Sequence, residues 1–426
     1  METVSKSPVF SILLIFLVVL SSNIVAAQDQ PPPKAFHIPI AKDTDTLQYY
    51  ASFQIGTPPT NINAVIDVGG QFLSAACDKY NSSTTRRSIP CGSTECKALT
   101  TTKCGSNHTC SLPSFSPFNK DSAALAGGLN NDVVTVYWTD GTSALPNTYS
   151  THITFSCVDS SGLLEGMAAG TNGILGLGRN TSPQMSLPTK LSSVYNIPPK
   201  FSLCIPSSDD YGFGDLFIGG GPYRFPGGND ASEWLLYTPL AQSPETGEYF
   251  VSVKSIKIDK SAVHFDTSLL DFNQKGVGGT KISTATPYGV LHSSIYKAVV
   301  GDFAKRAAAR NITRVASVAP FGTCFSTANV HWTKAGPRVP VIDLELPGNM
   351  VSLNWRIHGA NSMVRVKKDV MCLGFVDGGS KARASIVLGG HQLEDNFLDF
   401  DLTRSLLGFS SSLLPRDQTC SHFRNL

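Results

Sequence analysis

Two stretches of this chain carry the same punctuation at corresponding places. In the first, a strand-like run ends in Asp67-Val-Gly-Gly70 and is followed later by Gly173-Ile-Leu-Gly-Leu-Gly178. In the second, a strand-like run ends in Ser283-Thr-Ala-Thr286 and is followed later by Ile386-Val-Leu-Gly-Gly390. A repeat of roughly 200 residues implies two related lobes rather than a solenoid, whose repeats run only about 20–50 residues. The length of 426 residues agrees, because a chain of this size divides into domains of about 100–200 residues each. The boundaries expected are residues 1–27 for an export signal, 28–225 for the first lobe and 226–426 for the second lobe with its terminal segment. The Gly/Pro-rich stretch Gly219–Gly228 reads as the connection between them.

Both lobes read as β-rich. Charged residues make up only 15% of the chain, while Gly and Pro number 37 and 26, a composition of short strands and turns rather than helical bundles. Strand-like runs are Tyr49–Ile55, Ala64–Asp67, Val133–Trp138, Thr151–Cys157 and Phe201–Ile205. The alternation across Val251–Ile258 predicts one half-buried strand. Helical periodicity is clear only over Ser294–Arg310, with a Ser available as N-cap and basic residues at its C-terminal end, and more briefly over Ser186–Tyr195.

The first residues read as a secretory signal. Lys6 precedes the apolar run Val9–Leu20, and Val25 and Ala27 supply the small residues of a cleavage site before Gln28. The run is too short for a membrane span, and no later run is long enough, so no membrane attachment is expected. The pro-rich stretch from Gln28 to Lys42 would then be an extended mature N-terminus. Export suits the ten cysteines, Cys77, Cys91, Cys96, Cys104, Cys110, Cys157, Cys204, Cys324, Cys372 and Cys420. An even count in a secreted chain implies disulfides, five here, with a connectivity that spacing alone leaves open. Asn81, Asn107, Asn180 and Asn311 begin N-x-S/T sequons and are candidate glycan sites. A net charge of +2 offers no footprint for nucleic acid. The nine histidines form no H-E-x-x-H motif or ligand-spaced cluster, and His37 and His422, near the ends, are expected to be exposed. Neither a G-x-S-x-G elbow nor a P-loop is present, and the glycines of Gly173–Gly178 are misspaced for a dinucleotide fingerprint. No metal or cofactor is expected.

The order of motifs resembles the pepsin-like aspartic peptidases over nearly all of the mature chain. Tyr49-Tyr-Ala-Ser-Phe-Gln-Ile-Gly-Thr-Pro58 resembles the strand and turn ahead of the first active-site loop. Val65-Ile-Asp-Val-Gly-Gly-Gln-Phe-Leu73 resembles that loop, and Gly279-Thr-Lys-Ile-Ser-Thr-Ala-Thr-Pro287 resembles the second. Ile386–Gly390, Asn396–Asp401 and Leu407-Gly-Phe409 resemble the closing segment. The resemblance implies a mainly β, bilobal fold with an active site between the lobes. It also exposes the departures. Peptide hydrolysis needs two carboxylates about 3 Å apart that share one proton. Asp67 offers one, but its counterpart is Ser283, whose hydroxyl is no general base near neutral pH. Val68 stands where a Thr or Ser hydroxyl braces the opposite loop, and Ala285 stands for a Gly. Tyr137-Trp-Thr-Asp-Gly-Thr142 resembles the family's flap, with Trp138 at the flap tyrosine. Asp67 and Ser283 thus read as vestigial, and no functional catalytic residue is expected.

Longer segments are similar to a secreted plant subgroup that has lost the second Asp. These are Gly279–Thr284, Ala309–Ser317, Gly359–Met363, Cys372–Gly379 and Gly389–Asn396. The subgroup holds wheat xylanase inhibitors, inhibitors of microbial xyloglucan-specific endoglucanases and basic legume seed globulins. It usually has twelve cysteines, two more than here. The resemblance implies the pairs Cys77–Cys157, Cys91–Cys104, Cys96–Cys110, Cys204–Cys420 and Cys324–Cys372. It further implies that Arg416, four residues before the last Cys, and Lys334, in Thr333-Lys-Ala-Gly336, contact the cleft of a target enzyme. A retaining glycosidase holds two carboxylates about 5–5.5 Å apart. A guanidinium can meet such oxygens bidentately, whereas Lys is a point charge. The function implied is a secreted, proteolytically inactive monomer of the apoplast that inhibits microbial cell-wall-degrading glycoside hydrolases. The alternatives are an active aspartic endopeptidase and a storage or peptide-binding globulin.

Overall fold

A computed structural model describes residues 33–421, except for residues 81, 100, 101, 106, 107, 115, 119–124, 141–143, 179–184, 209–211, 226, 244, 245 and 274–276. The export signal, the sequons at Asn81, Asn107 and Asn180, His422 and the tip of the Tyr137–Thr142 motif lie outside the described residues.

A ladder of six antiparallel strands joins the two halves. Ala35–Asp43 pairs with Gly214–Ile218, which pairs with Lys200–Cys204. That strand pairs with Phe397–Asp401, which pairs with Leu406–Phe409, which pairs with Leu236–Gln242. Three strands come from each half, and the order reads the same from either edge. At the centre Phe201 faces Phe400, with rings stacked at 4.6 Å, and Ser202 faces Asp399. Ser202 Oγ and Tyr223 Oη donate to Asp399 Oδ1 at 2.7 and 3.0 Å, and Lys200 Nζ reaches Asp399 Oδ2 at 3.1 Å. A buried carboxylate is tolerated in a seam only when paired and hydrogen-bonded in this way. The largest apolar core is continuous across the seam, from Phe36 to Phe409.

The expected strands are present, with two adjustments. Val251–Ile258 is not one strand but two, Tyr249–Val251 and Ser255–Ile258. The break lets the chain change sheets: Val251 pairs with Leu240 and Thr280, whereas Ser255–Ile258 pairs with Ile342–Glu345. The extended N-terminal stretch is itself a strand, Ala35–Asp43, at one edge of the central ladder. The helix Ser293–Ala308 buries Ile295, Val299, Phe303 and Ala307, a stripe at intervals of four. Its N-cap is His292, whose ring Nδ1 accepts from Ser294 N at 3.3 Å, and not a serine.

His37 is buried, contrary to its expected exposure. It lies on the edge strand, and its Nε2 bonds Asp215, itself fully buried two residues into the neighbouring strand. Pairing within the ladder, not nearness to the chain end, decides its environment. The five disulfides are Cys77–Cys157, Cys91–Cys104, Cys96–Cys110, Cys204–Cys420 and Cys324–Cys372. Cys204–Cys420 spans 216 residues and fastens the C-terminal segment to the central ladder. Among the described residues, no helix is long and apolar enough to cross a membrane.

Candidate functional site

The two repeated punctuations form matching loops. Gly173–Gly176 lies between Thr60–Asp67, to which it is parallel, and Leu73–Ala76. In the other half, Ile386–Leu388 lies between Thr280–Ile282, to which it is parallel, and Gly289–Leu291. Each inserted strand pins the neck of a loop. The glycines here are steric: a Cβ on Gly176 would come within 2.6 Å of the Gly70 backbone, and one on Gly389 within 2.3 Å of Tyr288 O. Asp67 closes the first strand, and Ser283 follows the second, its N–H donating to Leu388 O at 3.0 Å.

The loops are braced from one side only. Thr284 Oγ1 donates to Ile66 O at 2.6 Å and accepts from Val68 N at 3.1 Å. The mirror-image hydroxyl is absent because Val68 is fully buried and apolar. Asp67 and Ser283 each turn to their own loop. Asp67 Oδ1 accepts from Gly69 N at 2.9 Å, and Ser283 Oγ accepts from Thr286 N at 3.2 Å. Burial pushes the Asp67 carboxyl above its usual range, against the opposing pull of the Gly69 amide and the Lys281 charge.

A cleft of about 190 Å³ lies over these loops, lined by Asp67, Ser283, Thr286, Glu248, Lys281 and Pro117, among others. Lys281 Nζ bonds Glu248 Oε1 at 2.8 Å, Thr246 Oγ1 donates to Glu248 Oε2 at 2.8 Å, and Arg383 stands 3.6 Å from the same carboxylate. Burial raises the Glu248 pKa, but the Lys281 charge and hydrogen bond and the Thr246 hydroxyl outweigh it and hold the carboxyl below its usual range. Sequence reasoning missed this cluster. Lys281 had a readable signal, since strand alternation sets it on the same side as Ser283. Glu248 had none: it enters through the pairing of Phe250 with Lys281.

The flap assignment needs correction. Tyr137–Thr139 pairs with Ala35–His37 at the edge of the ladder, and Trp138 is only 8% exposed, edge-on to Tyr149. The segment that reaches the cleft is the one carrying Pro117, between Cys110–Ser114 and the long strand Leu125–Thr139. The Tyr-x-x-Asp-Gly pattern is local, whereas the position of a hairpin is set by its partners.

Lys334 and Arg416 lie far apart in sequence and close in space. Lys334 sits at the turn of the small hairpin Trp332–Thr333 and Gly336–Pro337, with Thr333 Oγ1 donating to Gly336 O at 2.9 Å. Its Nζ meets Asp417 Oδ1 at 2.5 Å. Asp417 follows the 3₁₀ turn Leu414–Arg416, and the Arg416 guanidinium lies 5.1 Å over the Trp234 ring. All three charged side chains are exposed. Asn311, the one described sequon, is exposed beyond the helix Ser293–Ala308. Among the described residues, no group of three or more His, Cys, Asp or Glu side chains could hold a metal ion.

Comparison with known proteins places both halves. Residues 49–220 match the family described as xylanase inhibitor N-terminal, and residues 248–411 match that described as xylanase inhibitor C-terminal. The chain is 42% identical over 436 aligned positions to a Nicotiana benthamiana protein named probable aspartic proteinase GIP2, covering 97% of each. It is 38% identical over 420 positions to gamma conglutin 1 of Prunus dulcis, covering 96% of this chain and 94% of that one. The solved structure of edgp matches with a TM-score of 0.87 at 42% identity, covering 93% of this chain and 99% of that one. The structure of basic 7S globulin from soybean matches with a TM-score of 0.80 at 31% identity, covering 93% and 99%.

Proposed function

Because the chain belongs to the xylanase inhibitor family of pepsin-like plant proteins, in both its halves, we propose that it inhibits microbial cell-wall-degrading glycoside hydrolases, a xyloglucan-specific endoglucanase or a xylanase. The single observation that carries the reading is the Lys334–Asp417 contact, which joins the hairpin bearing one cation to the turn bearing Arg416. Lys334 is already paired with Asp417, and the exposed Arg416 beside that pair suits a cleft with two carboxylates about 5–5.5 Å apart. The anchored guanidinium is the stronger partner for such a pair. In this reading the protein is exported after removal of residues 1–27, carries a glycan at Asn311, and acts in the apoplast as a monomer.

Peptidase chemistry finds no support in the cleft. A second carboxylate, Glu248, does line it, but Lys281 and Arg383 keep Glu248 ionised. A proton shared with Asp67 needs two carboxyls of matched affinity, and this ion pair removes the match. Ser283 supplies no substitute, so Asp67 is a buried remnant held by its own loop.

The test is inhibition of secreted microbial xyloglucanases and xylanases by the glycosylated protein. The expected result is inhibition competitive with oligosaccharide. A complete panel without binding would overturn the proposal and leave the storage reading, which the name basic 7S globulin of a relative favours.

A further inference from the structure

The surface around Lys334 carries an exposed aromatic ring that neither the fold nor the two cations explain. Trp332 is 54% exposed, two residues before Lys334 on the same small hairpin. An indole left in water forgoes much of its burial energy, and Trp is among the residue types best able to recover that energy at an interface. This ring is held in place. The Arg365 guanidinium lies 5.8 Å from its centroid, and Arg365 Nη2 is itself fixed by donating to Lys368 O at 2.7 Å. The hairpin below is seated rigidly. Ala360 N donates to Ala335 O at 2.8 Å, and Gly336, at φ +87°, is so close to Ala360 that a Cβ would come within 2.3 Å of its nitrogen. An aromatic side chain presented by a rigid hairpin loses little conformational freedom on binding.

We propose that Trp332 is the apolar anchor of the surface that engages the target enzyme, an inference that rests on the glycoside hydrolase reading above. Arg365 lies over the ring, Lys334 follows two residues on, and the Lys334 partner Asp417 brings in the neighbouring Arg416, so three cations and one carboxylate share this surface and it complements a partner that is both acidic and apolar. A glycoside hydrolase cleft has that chemistry. Its catalytic pair is anionic, and the flanking sugar subsites present flat apolar walls against which pyranose rings stack. Trp332 occupies such a subsite in place of a sugar ring, while the cations meet the carboxylates. Trp and Arg are the residue types that most often dominate interface energetics, and a ring ordered before binding is suited to that role.

The test measures binding of the full-length wild type, Trp332→Ala, Trp332→Phe and Arg416→Ala to one xyloglucanase or xylanase that the wild type inhibits. Trp332→Ala should raise the dissociation constant by roughly 30-fold or more, mainly through faster dissociation. Trp332→Phe, which keeps a stacking face, should recover most of the loss. Circular dichroism and melting temperature should be unchanged, since the ring is exposed. Binding of Trp332→Ala at wild-type strength, with Arg416→Ala weakened, would overturn the anchor and leave the inhibitor reading standing. A wild type that inhibits no glycoside hydrolase would overturn that reading, and the anchor with it. A wild-type dimer that Trp332→Ala dissociates would make this a self-association face, and would also overturn the proposal.

Discussion

Ser283 and Lys281 together determine what the cleft can do. Restoring a carboxylate by Ser283→Asp would set it beside a site where Lys281 and Glu248 are already paired. The new carboxylate would meet a resident ammonium instead of sharing a proton with Asp67. Both the wild type and Ser283→Asp should therefore show no hydrolysis of a fluorogenic peptide between about pH 2 and 7, the range in which carboxyl pairs of this kind titrate. Pepstatin-sensitive turnover by either would contradict this. At this scale the sequence was legible where residues that act together are neighbours in a motif. Asp67, Val68, Ser283 and Ala285 were all readable, and the loss of one brace hydroxyl follows from Val68 alone. Glu248 was not readable, because its role depends on a strand pairing 33 residues away. His37 was misread for the same reason, its partner Asp215 lying 178 residues on.

One residue governs the element that presents Arg416. Asp395 accepts Leu413 N–H on its backbone oxygen at 2.7 Å and Cys420 N–H on its carboxylate Oδ1 at 2.8 Å. It thereby holds both ends of the segment Leu413–Cys420, and the Cys204–Cys420 disulfide fixes the second end to the ladder. Burial pushes the Asp395 carboxyl from 3.8 up to about 6, only partly offset by its hydrogen bonds and by Lys42. Between those values the folded protein binds more protons than the unfolded chain, so this group favours folding in acid and less so as pH rises through about 6. Asp395→Asn keeps an acceptor oxygen and removes the titration. The wild type should lose more thermal stability than Asp395→Asn on going from about pH 4.5 to 7. Melting curves of both at the two pH values check this, and parallel changes would contradict it. Elements were legible when their period was regular, as in the helix Ser293–Ala308. They were misplaced when identity depended on partners. The Tyr137–Thr139 strand resembles a flap yet pairs with Ala35–His37, and Val251–Ile258 alternates like one strand yet serves two sheets.

The whole molecule follows from a duplicated lobe closed along a six-stranded seam, and the duplication was the feature most legible in the sequence. Its punctuation has a steric basis, since Gly176 and Gly389 each sit where a side chain would strike neighbouring backbone. Positions 67 and 283 carry no such steric requirement, so the frame accommodates an Asp at one and a Ser at the other. The result is a two-lobed body with the Lys281–Glu248 ion pair in its cleft and an exposed basic and aromatic surface near its C-terminus. If that surface is the working one, Arg416 meets ionised carboxylates of the target, and truncating one partner of such a pair typically costs about 2–5 kcal/mol. The deciding measurement is the inhibition constant of wild type and Arg416→Ala against one secreted microbial xyloglucanase or xylanase. The account predicts that Arg416→Ala is weaker by roughly 30-fold or more while remaining fully folded, with Arg416→Lys recovering only part of the loss. Equal constants for wild type and Arg416→Ala would contradict it.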